Sequence, residues 1–333
     1  MATDEYPNLS VPERVAARPR KTVIQAALLV VLIVVPFVPP SYVVSLTIET
    51  LILALFAMSL DVIAGYTGLV SFGHAAFYGV GAYGTALSLL YVTDSAWLAL
   101  GLGILIAGVL AVPIGYLSIR SQGIYFAMLT LAFAQLIYIV VSNDVFGLTG
   151  GSNGLTALPQ GNFGVPGLFS FTLTSIGFYF LIAAMFVTSY LILRRILQSP
   201  FGATLVAIRE NEGRAEYAGY DVQRYKLKAF VLSALFGALA GALTTPFYQA
   251  VSPSILFWTT SGSVIAIVLI GGLGTLVGPI MGAVLYVTTR ELVSPYLADW
   301  TIVLGIAFIV TIVLLPDGLY SLVGHVVTED ENR

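Results

Sequence analysis

The sequence predicts an all-α polytopic membrane protein with about ten transmembrane helices. Of its 333 residues, 58% are hydrophobic and only 9% are charged, whereas a soluble domain carries about 25% charged residues. The apolar residues form long continuous runs, which favour membrane-spanning helices over the alternating strands of a barrel. One polar island, residues 194–228, interrupts these runs and holds seven of the fourteen Lys and Arg residues.

The spans are predicted from the expected span length of about 20 residues. They cover residues 22–38, 45–64, 68–91, 97–117, 122–141, 175–194, 226–250, 261–273, 277–291 and 299–316. The eighth and ninth spans are short and meet at residues 271–279. A single long span in their place, giving nine in total, is the alternative.

Basic residues predict the orientation, because Lys and Arg are enriched on the cytoplasmic side of membrane proteins. The tail at 1–21 and the polar island are therefore predicted to be cytoplasmic. The loop at 142–174 contains no Lys or Arg and is predicted to be external. Arg290, at the outer edge of the ninth span, is the exception. The chain divides into this tail, a transmembrane domain at 22–322 and an acidic C-terminal tail at 323–333.

Composition and motifs argue against an enzyme. The chain has no cysteine and only two histidines, so we expect no metal site and no catalytic residues. No Lys follows a Gly-rich loop and precedes Ser or Thr as in a P-loop, so we expect no ATP-binding site. A net charge of −3 gives no reason to expect a nucleic-acid partner.

Polar residues inside predicted spans are candidates to line a pathway, because polar groups in the bilayer core are costly and are commonly functional. These candidates are Asp61, Ser71, His74, Tyr78 and Gln135. Each has a structural alternative: a carboxylate at the membrane edge for Asp61, a hydrogen-bonded packing role for His74, and helix–helix hydrogen bonding for Gln135. The Gly-rich segment 65–84 is predicted either to line the pathway or to pack closely against another span.

The polar island reads as helix, turn, helix. Apolar residues including Ile208, Ala215 and Tyr217 supply a stripe, and Gly219 is placed to end the helix. A solvated loop would account for the charges. A folded segment of this kind also suits a docking surface for another protein.

The island residues AIRENE (207–212), followed by AGY (218–220), resemble the cytoplasmic coupling loop of ABC importer permeases. More narrowly, they resemble branched-chain amino acid permeases of the LivM type. Further blocks match that family in the same order over roughly residues 45–322. They are GYTGLVSFGHAAFYGVGAYG (65–84), SQGIYFAMLTLAFAQL (121–136), LTGGSNGL (148–155), AFVLSALFGALAGAL (229–243), IGGLGTLVGPIMGA (270–283) and LLPDGLYSL (314–322).

The resemblance implies a permease subunit that imports branched-chain or related hydrophobic amino acids across the cytoplasmic membrane. It implies a cytoplasmic coupling helix pair at 199–222, between spans six and seven. Coupling to the ATPase would involve Arg209, Glu210, Asn211, Glu212 and Gly219. The implied partners are a second homologous permease, two ABC ATPase subunits that use ATP and Mg²⁺, and an extracytoplasmic substrate-binding protein.

Two alternatives stay open at this point. Urea and short-chain amide permeases share nearly the same blocks, so the substrate is less well defined than the family. A secondary transporter or channel acting alone would need no ATPase, but it would be expected to carry a more ionisable core than this chain has.

Overall fold

The computed structural model describes residues 36, 41–164, 174–297, 300–315 and 318–321. Within these residues the chain is helical, and the only β-structure consists of isolated bridges. The first predicted span and both predicted tails lie outside the described residues, apart from position 36. The all-α fold is confirmed for the part of the chain that is described.

Eleven α-helices are described, with two short 3-10 helices at Gly151–Asn153 and Pro253–Leu256. The α-helices are α1 (Ser41–Thr67), α2 (His74–Tyr91), α3 (Ala96–Ser118), α4 (Ile124–Ser142), α5 (Ser175–Leu197), α6 (Pro200–Glu210), α7 (Glu212–Tyr217), α8 (Val222–Tyr248), α9 (Trp258–Gly271), α10 (Val277–Val293) and α11 (Trp300–Leu314).

Five of these helices are long and apolar enough to cross a membrane: α1 from Tyr42, α3, α4, α5 and α8. An α-helix rises about 1.5 Å per residue, so the 27 residues of α8 are longer than the hydrocarbon core of a bilayer is thick. Helices α9 and α11 are apolar but shorter.

The predicted third span differs from the structure at its start. Helix α2 begins at His74 rather than at 68, and residues 68–73 form a non-helical connection after α1. Gly68 has a φ of +75°, in the left-handed region that glycine favours, and it ends α1. A side chain at Gly73 would collide with the backbone carbonyl of Thr130, so α4 limits the space available at this connection.

Helices α1, α2, α3 and α8 form the centre of the bundle. Helix α8 packs closely at Gly237 and Gly241, because a Cβ at Gly241 would overlap the backbone of Tyr78, and one at Gly237 would lie 3.1 Å from the ring of His74. Gly81 on α2 meets the backbone of Ala238 in the same way. Small residues therefore let α2 and α8 approach until their backbones touch.

The bundle has two ends that matter below. The Glu49 end holds Glu49 of α1, Tyr248 of α8 and Arg290 of α10. The Asp61 end holds Asp61 of α1 and the turn at 272–276, which joins α9 to α10. Helix α6 meets the bundle at the Asp61 end, and so does the segment that follows α11, where the Leu319 amide donates to the Ile270 carbonyl at 2.9 Å.

Candidate functional site

Asp61 anchors the turn between α9 and α10. Its side chain is fully buried, its Oδ1 accepts the Gly274 amide at 2.7 Å, and its Oδ2 accepts the Leu276 amide at 3.2 Å. The turn needs such an acceptor, because the amides of its left-handed residues Gly274 and Leu276 cannot continue the helical hydrogen-bond pattern, which ends at Gly272. The carboxyl group also lies at the start of α10, where the helix dipole favours negative charge.

The side chain of Arg209 connects the end of α6 to α1 and to the turn between α9 and α10. Its guanidinium donates to the carbonyl of Gly65 on α1, and a Cβ added at Gly274 would lie 3.2 Å from its Nη1. Gly65 in turn lies against the backbone of Gly274, because a Cβ added at Gly65 would lie 2.7 Å from the Gly274 Cα. We call Asp61, Gly65, Arg209 and the turn at 272–276 the joint, because α1, α6, α9 and α10 meet there.

A second contact ties α7 to the bundle. Lys226 of α8 has a side chain that is only 2% exposed, and its Nζ lies 2.6 Å from Oε2 of Glu212. The same oxygen accepts a hydrogen bond from Gln122, just before α4, at 3.1 Å. Glu212 therefore connects α7, α8 and the start of α4.

The remaining residues of the predicted coupling set shape the segment. Asn211, a residue type favoured at helix N-caps, caps α7 because its side-chain oxygen accepts a hydrogen bond from the Arg214 amide at 2.9 Å. Gly219 follows α7 with a φ of +89°, which permits the turn into α8. Glu210 is mostly exposed, with its side chain 3.7 Å from Arg209. All five residues of the predicted coupling set therefore lie between the end of α6 and the start of α8, and each makes a different contact or turn.

The predicted apolar stripe of the island is only partly correct. Ile208 and Ala215 pack together with Val222, but Tyr217 is 95% exposed. Helix α7 has only six residues and buries Ala215 against the bundle, so Tyr217, two positions later, lies on the outer side of the helix. The exposed Tyr217 and Glu210 face away from this chain.

His74 and Ser71 have buried structural contacts. His74 lies 2.8 Å from the Ser59 hydroxyl through Nε2 and stacks on Phe56 at 5.5 Å between ring centroids. The backbone of Ser59 also accepts the Ser233 hydroxyl at 2.5 Å, which links α1, α2 and α8. Ser71 accepts the Gly73 amide at 3.3 Å within the connection before α2.

Tyr78 and Gln135 differ from this pattern. Tyr78 bonds Thr244 at 2.7 Å and lines a cavity at the Glu49 end of the bundle. On α4, the side-chain nitrogen of Gln135 is buried and has no hydrogen-bond partner among the described residues. The five predicted pathway residues therefore do not form one site: Asp61 lies in the joint, His74 in the bundle centre and Tyr78 at the cavity.

The described residues offer no metal site, since no three His, Cys, Asp or Glu side chains cluster among them. What they offer is a helical bundle of membrane-spanning length with a polar segment fixed to one end.

The comparisons with known proteins agree with the sequence resemblance. A family model described as the permease component of the branched-chain amino acid transport system matches residues 42–314. The chain belongs to this family. It is 31% identical over 314 residues to the high-affinity branched-chain amino acid transport system permease protein LivM of Escherichia coli strain K12, covering 88% of this chain and 73% of that protein.

Two other relatives of this chain share a smaller fraction of identical residues with it. The probable LivM permease protein of Methanocaldococcus jannaschii is 25% identical over 291 residues, covering 76% of this chain and 81% of the relative. The LivH permease protein of Salmonella typhimurium strain LT2 is 26% identical over 288 residues, covering 80% and 90%. No solved structure gave a significant match.

One polar pair of this permease-family chain was missed by the sequence prediction. Arg290 of α10 makes two hydrogen bonds of 2.6 Å to the carboxylate of Glu49 on α1. It also bonds Glu291, which accepts a hydrogen bond from Tyr42. The signal was available in Arg290, the one basic residue that breaks the predicted charge distribution, and in Glu49, an acid near the same end of another span.

The contact between Glu212 and Lys226 gives a test of how α7 is held. Glu212→Gln removes the charge that pairs with a buried ammonium group, so we expect a loss of about 1–3 kcal/mol of stability, below the roughly 3–5 kcal/mol of a fully buried pair because Glu212 is 29% exposed. The measurement is the thermal unfolding midpoint in detergent.

Glu216→Gln is the matched control, since Glu216 lies on the same helix and is exposed. Equal midpoints for the two variants would show that the Glu212 contact does not hold α7 to the bundle.

Proposed function

We propose that this chain is a permease subunit of an ATP-driven importer of branched-chain amino acids. The observation that carries the proposal is the family match over residues 42–314 together with the LivM relative at 31% identity. Five long apolar helices support a multi-pass membrane location. The names of the relatives, LivM and LivH, point to a transport system with two different permeases.

The proposed topology has ten spans with the N-terminus in the cytoplasm. It comprises the first predicted span and nine described helices, α1 to α5 and α8 to α11. Support comes from the charge distribution and from the Asp61 end, where the polar island, the turn at 272–276 and the segment after α11 lie together. A cysteine placed at Gln223 that reacts with an impermeant thiol reagent outside the cell would refute this orientation.

The proposed coupling segment is α6 and α7. Exposed Glu210 and Tyr217 would contact an ATPase subunit, while Arg209 and Glu212 carry the resulting movement to the bundle through the joint and through Lys226. ATP and Mg²⁺ would be bound by the two partner ATPases. A second permease and an extracytoplasmic binding protein complete the proposed assembly, and alternating access would follow from tilting of the joined helices.

The test of the function is uptake by the reconstituted assembly. Proteoliposomes that contain both permeases and the ATPases, supplied with the binding protein outside and ATP inside, should accumulate leucine, isoleucine and valine. Uptake of urea or acetamide instead would favour the amide-permease alternative. Leucine uptake driven by an ion gradient without ATP would favour a secondary transporter.

The same vesicles test the coupling segment. Glu210→Lys reverses a charge on the outer side of α6, where the 3.7 Å ion pair of Glu210 with Arg209 is exposed and weak, so we expect normal assembly but at least a tenfold loss of ATP-driven uptake. Asp94→Lys, an equal charge reversal in an exposed loop elsewhere in the chain, is the control. If Glu210→Lys imported leucine as fast as the control, α6 would not be the docking surface.

A further inference from the structure

The cavity at the Glu49 end has the dimensions of a small-metabolite site. Its volume is about 220 Å³, and it lies between α1, α2, α8, α9 and α10. Pockets for drug-sized ligands occupy about 300–1,000 Å³, so this one suits a smaller molecule. Its lining combines one acid, one base, several hydroxyl groups and an apolar wall.

Glu49 and Arg290 form the charged part of the lining, and both are about three-quarters buried. Arg290 has five N–H donors. Two point to Glu49 and two to Glu291, which leaves one on Nη1. Each oxygen of Glu49 accepts one bond from Arg290, the carboxylate also bonds the Tyr248 side chain, and one further lone pair stays available. The pair can therefore accept an ammonium at Glu49 and donate to a carboxylate at Arg290 without breaking apart.

The apolar wall follows directly from the helical spacing of α1. Ile52, Leu53 and Phe56 come three, four and seven residues after Glu49, so they share its face and line the same cavity. Because α1 runs from the Glu49 end toward the Asp61 end, these side chains lie deeper in the bundle than the charged pair. The cavity thus presents charges of both signs beside an aliphatic surface.

Hydroxyl groups supply the remaining polar contacts. Thr259 and Ser263 of α9 lie on the cavity lining, and Tyr78 and Tyr286 reach it from α2 and α10. Such groups orient a polar ligand without adding charge. A purely anionic ligand would face the carboxylates of Glu49 and Glu291, and a purely cationic ligand would leave the remaining Nη1 hydrogen of Arg290 unpaired, whereas a zwitterion matches both charges.

We propose that this cavity is a substrate site that binds an aliphatic α-amino acid in its zwitterionic form. The ammonium group pairs with Glu49, the carboxylate with Arg290 and the hydroxyl groups, and the side chain packs on Ile52, Leu53 and Phe56. The proposal rests on the proposed transport function and adds to it a selection step within the permease, besides that of the binding protein.

The test is binding of radiolabelled leucine to the purified complex of both permeases and the ATPases, with no binding protein present. Isoleucine and valine should displace it. Displacement by 4-methylpentanoate, which lacks the ammonium group, or by isoamylamine, which lacks the carboxylate, should need at least tenfold higher concentrations. This comparison uses the wild-type complex and does not depend on any variant folding.

Glu49→Gln and Arg290→Gln combined remove both charges while the two amides can still bond each other. This double variant should assemble and lose at least tenfold in leucine affinity, whereas Asp94→Asn, an exposed control, should bind as the wild type does. Wild-type affinity in the double variant, equal displacement by either half-molecule, or no leucine binding by the wild-type complex would overturn the proposal.

Uptake separates this inference from the function on which it rests. If the full assembly imports leucine but the complex without binding protein fails the binding test, the site is wrong and the function stands. If leucine binds with the expected competition but no ATP-driven uptake of any amino acid occurs, the function is wrong and the site stands.

Discussion

Two backbone amides in the turn between α9 and α10 depend on the carboxyl group of Asp61. The carboxyl group is fully buried and Leu276 is 4% exposed, so water has little access to this side of the turn. A buried amide without an acceptor costs about 1–3 kcal/mol, so the turn at 272–276 keeps its left-handed residues only while Asp61 is in place. The approach of Arg209 and the contact between Gly65 and Gly274 are possible because the turn is held there.

Helix α1 connects the two regions to which we assign tasks. Glu49 and Asp61 are twelve residues apart, which corresponds to about 18 Å along a helix. One end of α1 therefore contributes to the proposed substrate cavity, while the other contributes to the joint. Close packing of α2 against α8 and the Ser59–His74 contact fix the middle of α1 in the bundle. In the proposed function, a movement of α6 would reach the cavity along α1.

The sequence was sufficient to predict the helices, because a membrane imposes a length and an apolar composition on each span. Most of the described helices start within a few residues of the prediction. The start of α2 was missed, since glycines that end a helix and glycines that pack within one look alike in sequence. Helix α8 starts at Val222, four residues earlier than predicted, because Asp221 caps it by accepting the Arg224 amide at 3.1 Å.

The candidate site was less predictable than the fold. The residues of the α6–α7 segment could be named together from the sequence because they are contiguous. The joint was not, because Asp61 and Gly274 are 213 residues apart in sequence. Glu49 and Arg290 are 241 residues apart, and their pairing depends on how α1 and α10 pack. His74 drew attention as a lone polar residue, but its partner Ser59 was visible only in three dimensions.

Hydrogen–deuterium exchange at the Gly274 and Leu276 amides tests the role of Asp61 most directly. In Asp61→Ala, both amides lose their acceptor, so exchange across residues 272–276 should be roughly tenfold faster or more than in the wild type. Exchange in the middle of α8 should not change, and Glu216→Gln should match the wild type throughout. Wild-type exchange at Gly274 and Leu276 in Asp61→Ala would contradict the account, because the turn would then be held without this carboxyl group.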